Sequence, residues 1–182
     1  MATYLSQTLG FDGYQIGWAY ATTAIAAMIS PFFVGVIVDR SIAAEKVLSL
    51  LHLMGGFLIY WSSTLKDFAW FFPVLLAYTL CYMPTLALTN SLSFHHMENP
   101  ARQFPKVRVL GTIGWIAAGL IVGEIHLEAT AIPFKIAGIV SFLMGLYCLS
   151  LPHTPPRNDN PALSLRGILG LDALQLMKER SF

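Results

Sequence analysis

The sequence predicts an all-α fold, a multi-pass transmembrane helical bundle, on three observations. Of 182 residues, 55% are apolar and only 12% charged, where soluble domains carry roughly a quarter charged. Mean hydropathy is +0.62. The charges are also grouped, leaving residues 13–38, 47–65, 68–94, 109–123 and 136–156 free of Asp, Glu, Lys and Arg. A chain this size folded in water has too much exterior to hide so much apolar surface. The composition therefore excludes a soluble globular protein and a disordered chain. A net charge of +1 offers no basic patch to a polyanion, so no nucleic-acid partner is expected.

Each span follows from those gaps. A helix needs about 20 residues to cross the hydrocarbon core, and the first three gaps meet this outright. The fourth is short, but Pro105 suits a first helical position, giving a span over 105–123 with Lys106 and Arg108 in its first turns. The fifth reaches full length if its helix starts near Ala131, with Lys135 snorkelling toward its end of the membrane. Five spans result. Residues 1–10 have neither a basic region nor an apolar stretch of their own, so no signal peptide is read there. Pro31 and Pro84 interrupt spans, as in helices that bend beside a cavity. Gly13 with Gly17, and Gly119 with Gly123, are spaced for close helix approach. Cys81 and Cys148 lie inside apolar runs and read as packing residues, not as a disulfide or metal site. Residues 162–177 are helix-prone and apolar on more than one side, suited to the membrane surface.

Basic residues set the orientation. Arg40 and Lys46 follow the first span, Arg102 and Lys106 precede the fourth, and Arg157, Arg166, Lys178 and Arg180 follow the fifth. The intervening loops hold only Lys66 and Lys135. This alternation puts the Met1 end outside and the Phe182 end in the cytoplasm. An outside start and an odd span count are read as a fragment that has lost a preceding span; a true five-span protein is the alternative.

The fourth span carries the candidate site. Arg108, Thr112 and Trp115 are spaced i, i+4, i+7 and fall within about 60° of one another on a helix. They form one stripe of cation, hydroxyl and aromatic plate, beside a smooth stripe of Gly111, Gly114 and Ala118. The cation could hold a hydroxyl or carbonyl oxygen and the indole could stack a planar ring. Read alone, Arg108 also fits a cation that snorkels to headgroups. Asn90, among Thr89, Ser91 and Ser93, gives the end of the third span a polar side, for a cavity or for interhelical bonds. His95 and His96 are adjacent, diverge by about 100° on a helix, lack a close acidic partner, and read as loop residues rather than metal ligands. Glu124 and Glu128 read as a solvated helix end. Phosphate-cradling, nucleophile-elbow and zinc-protease motifs are missing, so no enzyme is expected.

Gly35-Val-Ile-Val-Asp39-Arg40, in a loop after a span, resembles the first half of the major facilitator superfamily signature; its second half, a glycine with paired basic residues, is replaced by residues 41–46. Thr8-Leu-Gly-Phe-Asp-Gly-Tyr-Gln-Ile-Gly17, Tyr82-Met-Pro-Thr-Leu-Ala-Leu-Thr-Asn90 and Phe104-Pro-Lys-Val-Arg-Val-Leu-Gly-Thr-Ile-Gly-Trp115 resemble one branch, the nucleoside:proton symporter family. Leu151-Pro-His-Thr-Pro155 and Leu169-Gly-Leu-Asp-Ala173 extend the likeness. The resemblance implies a major facilitator bundle of twelve spans in two six-helix halves around a midplane cavity. This chain would supply residues 1–156 as an incomplete amino-terminal half, the end of span 1 and then spans 2 to 6, and 157–182 as the start of the cytoplasmic linker.

The resemblance further implies an inner-membrane protein that moves a nucleoside with a proton, needing no cofactor beyond that coupling ion. Its partners would be the substrate, the lipid bilayer and the missing carboxy-terminal half. Arg108, Thr112 and Trp115 would contact nucleoside, with Asn90 as a weaker candidate. Gly35, Asp39 and Arg40 would help hold the inward gate. Trp115 stands where the family often has Phe. Two alternatives stay open: a facilitator of sugars or other small polar solutes, and a non-transporting helical membrane subunit.

Overall fold

The computed structural model describes residues 1–38 and 42–155, with backbone alone over 31–38. After a short π-helical turn at Tyr4–Thr8 come five helices: α1 (Gly13–Val38), α2 (Ala44–Ser62), α3 (Phe68–His96), α4 (Pro100–Glu124) and α5 (Ile132–Cys148). At 1.5 Å per residue they run from about 26 Å for α5 to about 44 Å for α3, lengths matched to a bilayer. α3 and α4 are the clearest spans by length and apolarity. Five helices stand where the five uncharged gaps predicted them.

Caps fix where the helices begin. Asp67 Oδ1 accepts the Ala69 amide at 3.0 Å to open α3, and Asn99 Oδ1 accepts the Arg102 amide at 3.2 Å to open α4, as short polar side chains do at N-caps. Pro100 then takes the first position of α4. The start expected at Pro105 is therefore five residues late. Asn99 satisfies the free amides and Pro100 loses nothing there, while Pro105 lies inside the helix. α3 likewise runs continuously through Pro73 and Pro84. α5 begins after Ala131, as expected.

The helices pack as a row, α5 on α2, α2 on α3 and α3 on α1, whereas α4 touches α3 only slightly. The α2–α5 crossing is the tightest. A Cβ added to Gly138 would lie 2.8 Å from Tyr60 Cβ, and one on Gly56 would lie 2.9 Å from the Gly138 carbonyl oxygen. Backbones this close let Ser49 Oγ donate to the Gly145 carbonyl at 2.7 Å and Ser141 Oγ donate to the His52 carbonyl at 3.0 Å. Small residues and interhelical hydroxyl bonds are how helices associate in lipid, where apolar burial gives no drive. The glycine pairs expected to do this, Gly13 with Gly17 and Gly119 with Gly123, meet nothing within 4 Å, and the same is true of Gly111 and Gly114. Spacing alone does not say which face of a helix has a neighbour.

Two apolar clusters close the row at opposite ends. At the end where α1, α3 and α5 begin, Tyr4, Phe11, Phe71 and Phe134 pack with Ile59 and Leu75. Their rings meet at centroid distances of 5.4 Å for Tyr4–Phe134 and 5.6 Å for Phe11–Phe71, within the range for favourable aromatic pairs. At the other end Val47, Leu48, Leu88 and Cys148 form a smaller aliphatic cluster.

Candidate functional site

α4 presents its stripe to open space. None of its residues is buried, and Trp115 is 81% exposed. Arg108, Thr112 and Trp115 share one face of this regular helix, spread over about 10 Å of rise. Thr112 Oγ1 donates to the Arg108 carbonyl at 3.1 Å, so toward any ligand the hydroxyl presents lone pairs and accepts. The face thus offers guanidinium donors at one end, an acceptor in the middle and an indole plate at the other.

Asn90 lies on α3 and is half-buried. Counted from the turn between α3 and α4, Asn90 is about 9 Å along α3 and Arg108 about 12 Å along α4, similar depths on consecutive antiparallel helices. Phe94 and Phe104, with ring centroids 4.4 Å apart, hold the two helices together beside that turn. Among the described residues no hydrogen bond joins Asn90 to the α4 stripe. Of the signature residues, Gly35 lies in α1, and Asp39 and Arg40 lie outside the described residues. The boundary at 156–157 and the segment 162–177 are outside them too.

Three groups differ from expectation or escaped it. Glu128 is not simply solvated: its Oε2 is buried without a partner. It lines a cavity of about 310 Å³ with Tyr4, Thr22, Tyr78, Thr79 and Thr130, which Met1 also borders. A carboxylate oxygen taken from water without a donor is costly, and spacing cannot signal this because Glu128 follows α4 in an ordinary-looking turn. His95 and His96 end α3 instead of lying in a loop, and no group of three metal-ligating side chains occurs among the described residues. Glu45, unremarked in the sequence, is 4% exposed and accepts from His153 Nδ1 at 2.8 Å.

The row of membrane-length helices, with α4 lying at its edge, has the architecture of a major facilitator helical bundle. Comparison with known proteins agrees. The family model described as "Nucleoside H+ symporter" matches residues 1–182. The chain is 46% identical over 180 residues to the putative nucleoside transporter YegT of Escherichia coli K12, covering 95% of this chain and 42% of that protein. It is 35% identical over 182 residues to the xanthosine permease of the same organism, covering 98% of this chain and 44% of the relative. A crystal structure of the nucleoside transporter NupG superposes with a TM-score of 0.85 at 31% identity, over 97% of this chain and 45% of that one; a substituted form of NupG gives 0.90. The chain belongs to the nucleoside H+ symporter family. It spans somewhat less than half the length of the relatives it matches.

Proposed function

We propose that this chain is the greater part of the amino-terminal half of a proton-coupled nucleoside transporter, and that Arg108, Thr112 and Trp115 hold the substrate. The observation that carries the reading is the α4 face itself: a cation, an acceptor and a 81%-exposed indole aligned on a helix with no buried residue. A nucleoside has complementary parts. Arg108 donates to ribose hydroxyl or base carbonyl oxygens, Thr112 accepts from a hydroxyl or base N–H, and Trp115 stacks on the base. Asn90 approaches from α3. The similarity to a putative nucleoside transporter and to a xanthosine permease favours this substrate class over sugars.

Transport then follows alternating access: the two halves rock about a midplane site, and the carboxy-terminal half supplies the facing wall. In this reading the chain sits in the inner membrane with the Met1 end outside and the Phe182 end in the cytoplasm. Residues 1–156 belong to the membrane half and 157–182 to the linker. Gly35, Asp39 and Arg40 serve the inward gate. Protein chemistry alone suffices, with the proton as coupling ion and no cofactor or catalytic step.

The test is uptake of labelled uridine by the full-length protein carrying Arg108→Ala. A hydrogen bond from a charged group contributes about 1.5–3 kcal/mol, so the variant should need roughly 12- to 150-fold more substrate at unchanged membrane abundance. Uptake indistinguishable from the parent removes Arg108 from the site.

A further inference from the structure

The segment that follows α5 does not leave the bundle freely. Residues 151–155 fold back across the ends of α2 and α3 at the end of the bundle opposite the aromatic cluster. The Thr154 amide donates to Glu45 Oε2 at 3.1 Å, and His153 Nδ1 donates to Glu45 Oε1 at 2.8 Å. In return the Ala44 amide donates to the Thr154 carbonyl at 3.2 Å. Thr154 Oγ1 donates to the Pro152 carbonyl at 3.2 Å, so it accepts from His96 Nε2, 2.9 Å away at the end of α3. Glu45 and Thr154 are 4% and 8% exposed, while the His153 side chain is 67% exposed. One buried carboxylate in the first turn of α2, where the helix dipole favours it, thus receives both a side-chain and a backbone donor from the segment that continues toward the second half.

The hydrogen bonds in this arrangement lie at helix ends, and the strap's one apolar anchor, Leu151, is only half-buried against the Val47, Leu48, Leu88 and Cys148 cluster, a contact small enough to be given up with them. We propose that residues 151–155 form a releasable strap, anchored on Glu45, that shortens the tether between the two halves of the intact transporter. The inference deepens the two-half reading and rests on it. Held down, the linker departs from the ends of α2 and α3. Released, the same five residues add about 16 to 18 Å of reach at 3.3–3.6 Å each, slack available when the cytoplasmic ends of the halves move apart. α4 carries the substrate stripe and takes no part in the strap, so the binding face is untouched by its release.

Two measurements on the full-length protein in lipid nanodiscs test this. In hydrogen exchange, the Thr154 and Ala44 amides should be protected, Glu45→Ala should speed both at least tenfold, and His153→Ala, at an exposed side chain, should speed them severalfold. Peptides around Phe11 and Phe71 should stay unchanged. Exchange in the parent at the rate of an unstructured peptide, or equal rates in parent and both variants, overturns the strap; if Glu45→Ala loses protection everywhere, His153→Ala decides. In the second measurement Ala44→Cys is combined with Thr154→Cys, and the pair is oxidised. Uridine uptake should fall at least fivefold and return on reduction, and undiminished uptake of the cross-linked form overturns release during transport. A protein with protected amides but no nucleoside uptake before oxidation defeats the transport reading, and the tether role with it, while leaving the exchange result to judge the strap itself.

Discussion

Gly55 and Gly56 are neighbours in α2 with opposite fates on gaining a methyl group. At Gly55 the nearest atoms to an added Cβ are Cys81 Cβ at 3.6 Å and a Tyr78 ring carbon at 3.7 Å, ordinary contacts. Alanine there gains up to about 1 kcal/mol of helix propensity and fills space without strain. At Gly56 the new Cβ falls 2.9 Å from the Gly138 carbonyl oxygen and 3.0 Å from the Phe142 amide nitrogen. Both are backbone atoms of α5, which no rotamer change can move aside. The helices must part by several tenths of an ångström, at an overpacking cost of about 1–3 kcal/mol. Parting also loosens the Ser49 and Ser141 hydroxyl bonds to α5, each about 0.6 kcal/mol in a membrane. After the propensity gain, Gly56→Ala should be less stable than the parent by about 1 to 3 kcal/mol, whereas Gly55→Ala should equal or exceed it. Reversible SDS titration of the full-length protein measures both. Equal stabilities for the two variants would refute the claim that backbone contact between α2 and α5 sets this part of the fold.

Other outcomes can be checked alongside. Trp115→Phe should keep most uridine uptake because the stacking plate survives, while Trp115→Ala should lose about 0.5–1.5 kcal/mol of binding, roughly 2- to 12-fold in apparent affinity. Arg108→Lys should fall between the parent and Arg108→Ala, since an ammonium keeps the charge but not the planar fork. Asp67→Ala removes the α3 cap and should lower stability by about 1 kcal/mol in the same SDS titration, leaving uridine affinity unchanged.

Much of the architecture was legible because charge is so costly in lipid that its gaps mark the helices. That logic located all five and the start of α5. It failed by five residues at α4, where Asn99-Pro100 carries its own start signal and Pro105 was given precedence. That Arg108, Thr112 and Trp115 share a helix face was legible as well, since i, i+4, i+7 spacing fixes a shared face regardless of neighbours. What spacing cannot supply is the partner. Gly56, Gly138 and Gly145 have no glycine four residues away, yet they make the close crossings, while the regularly spaced glycine pairs meet nothing within 4 Å. Glu45 and His153 are 108 residues apart, so only the folded chain reveals that they meet, and the same holds for Glu128 and its cavity.

The aromatic cluster has a consequence in time. Its rings come from the first residues and from the last helix, Tyr4 and Phe11 at one extreme and Phe134 at the other. At a synthesis rate of about 5–20 residues per second, Tyr4 precedes Phe134 by roughly 6 to 26 s. Through that interval the earliest rings wait without their final neighbour, and lipid or an insertion factor has to cover them. Closure of that end is therefore timed by the ribosome, and α5 is the element that completes it.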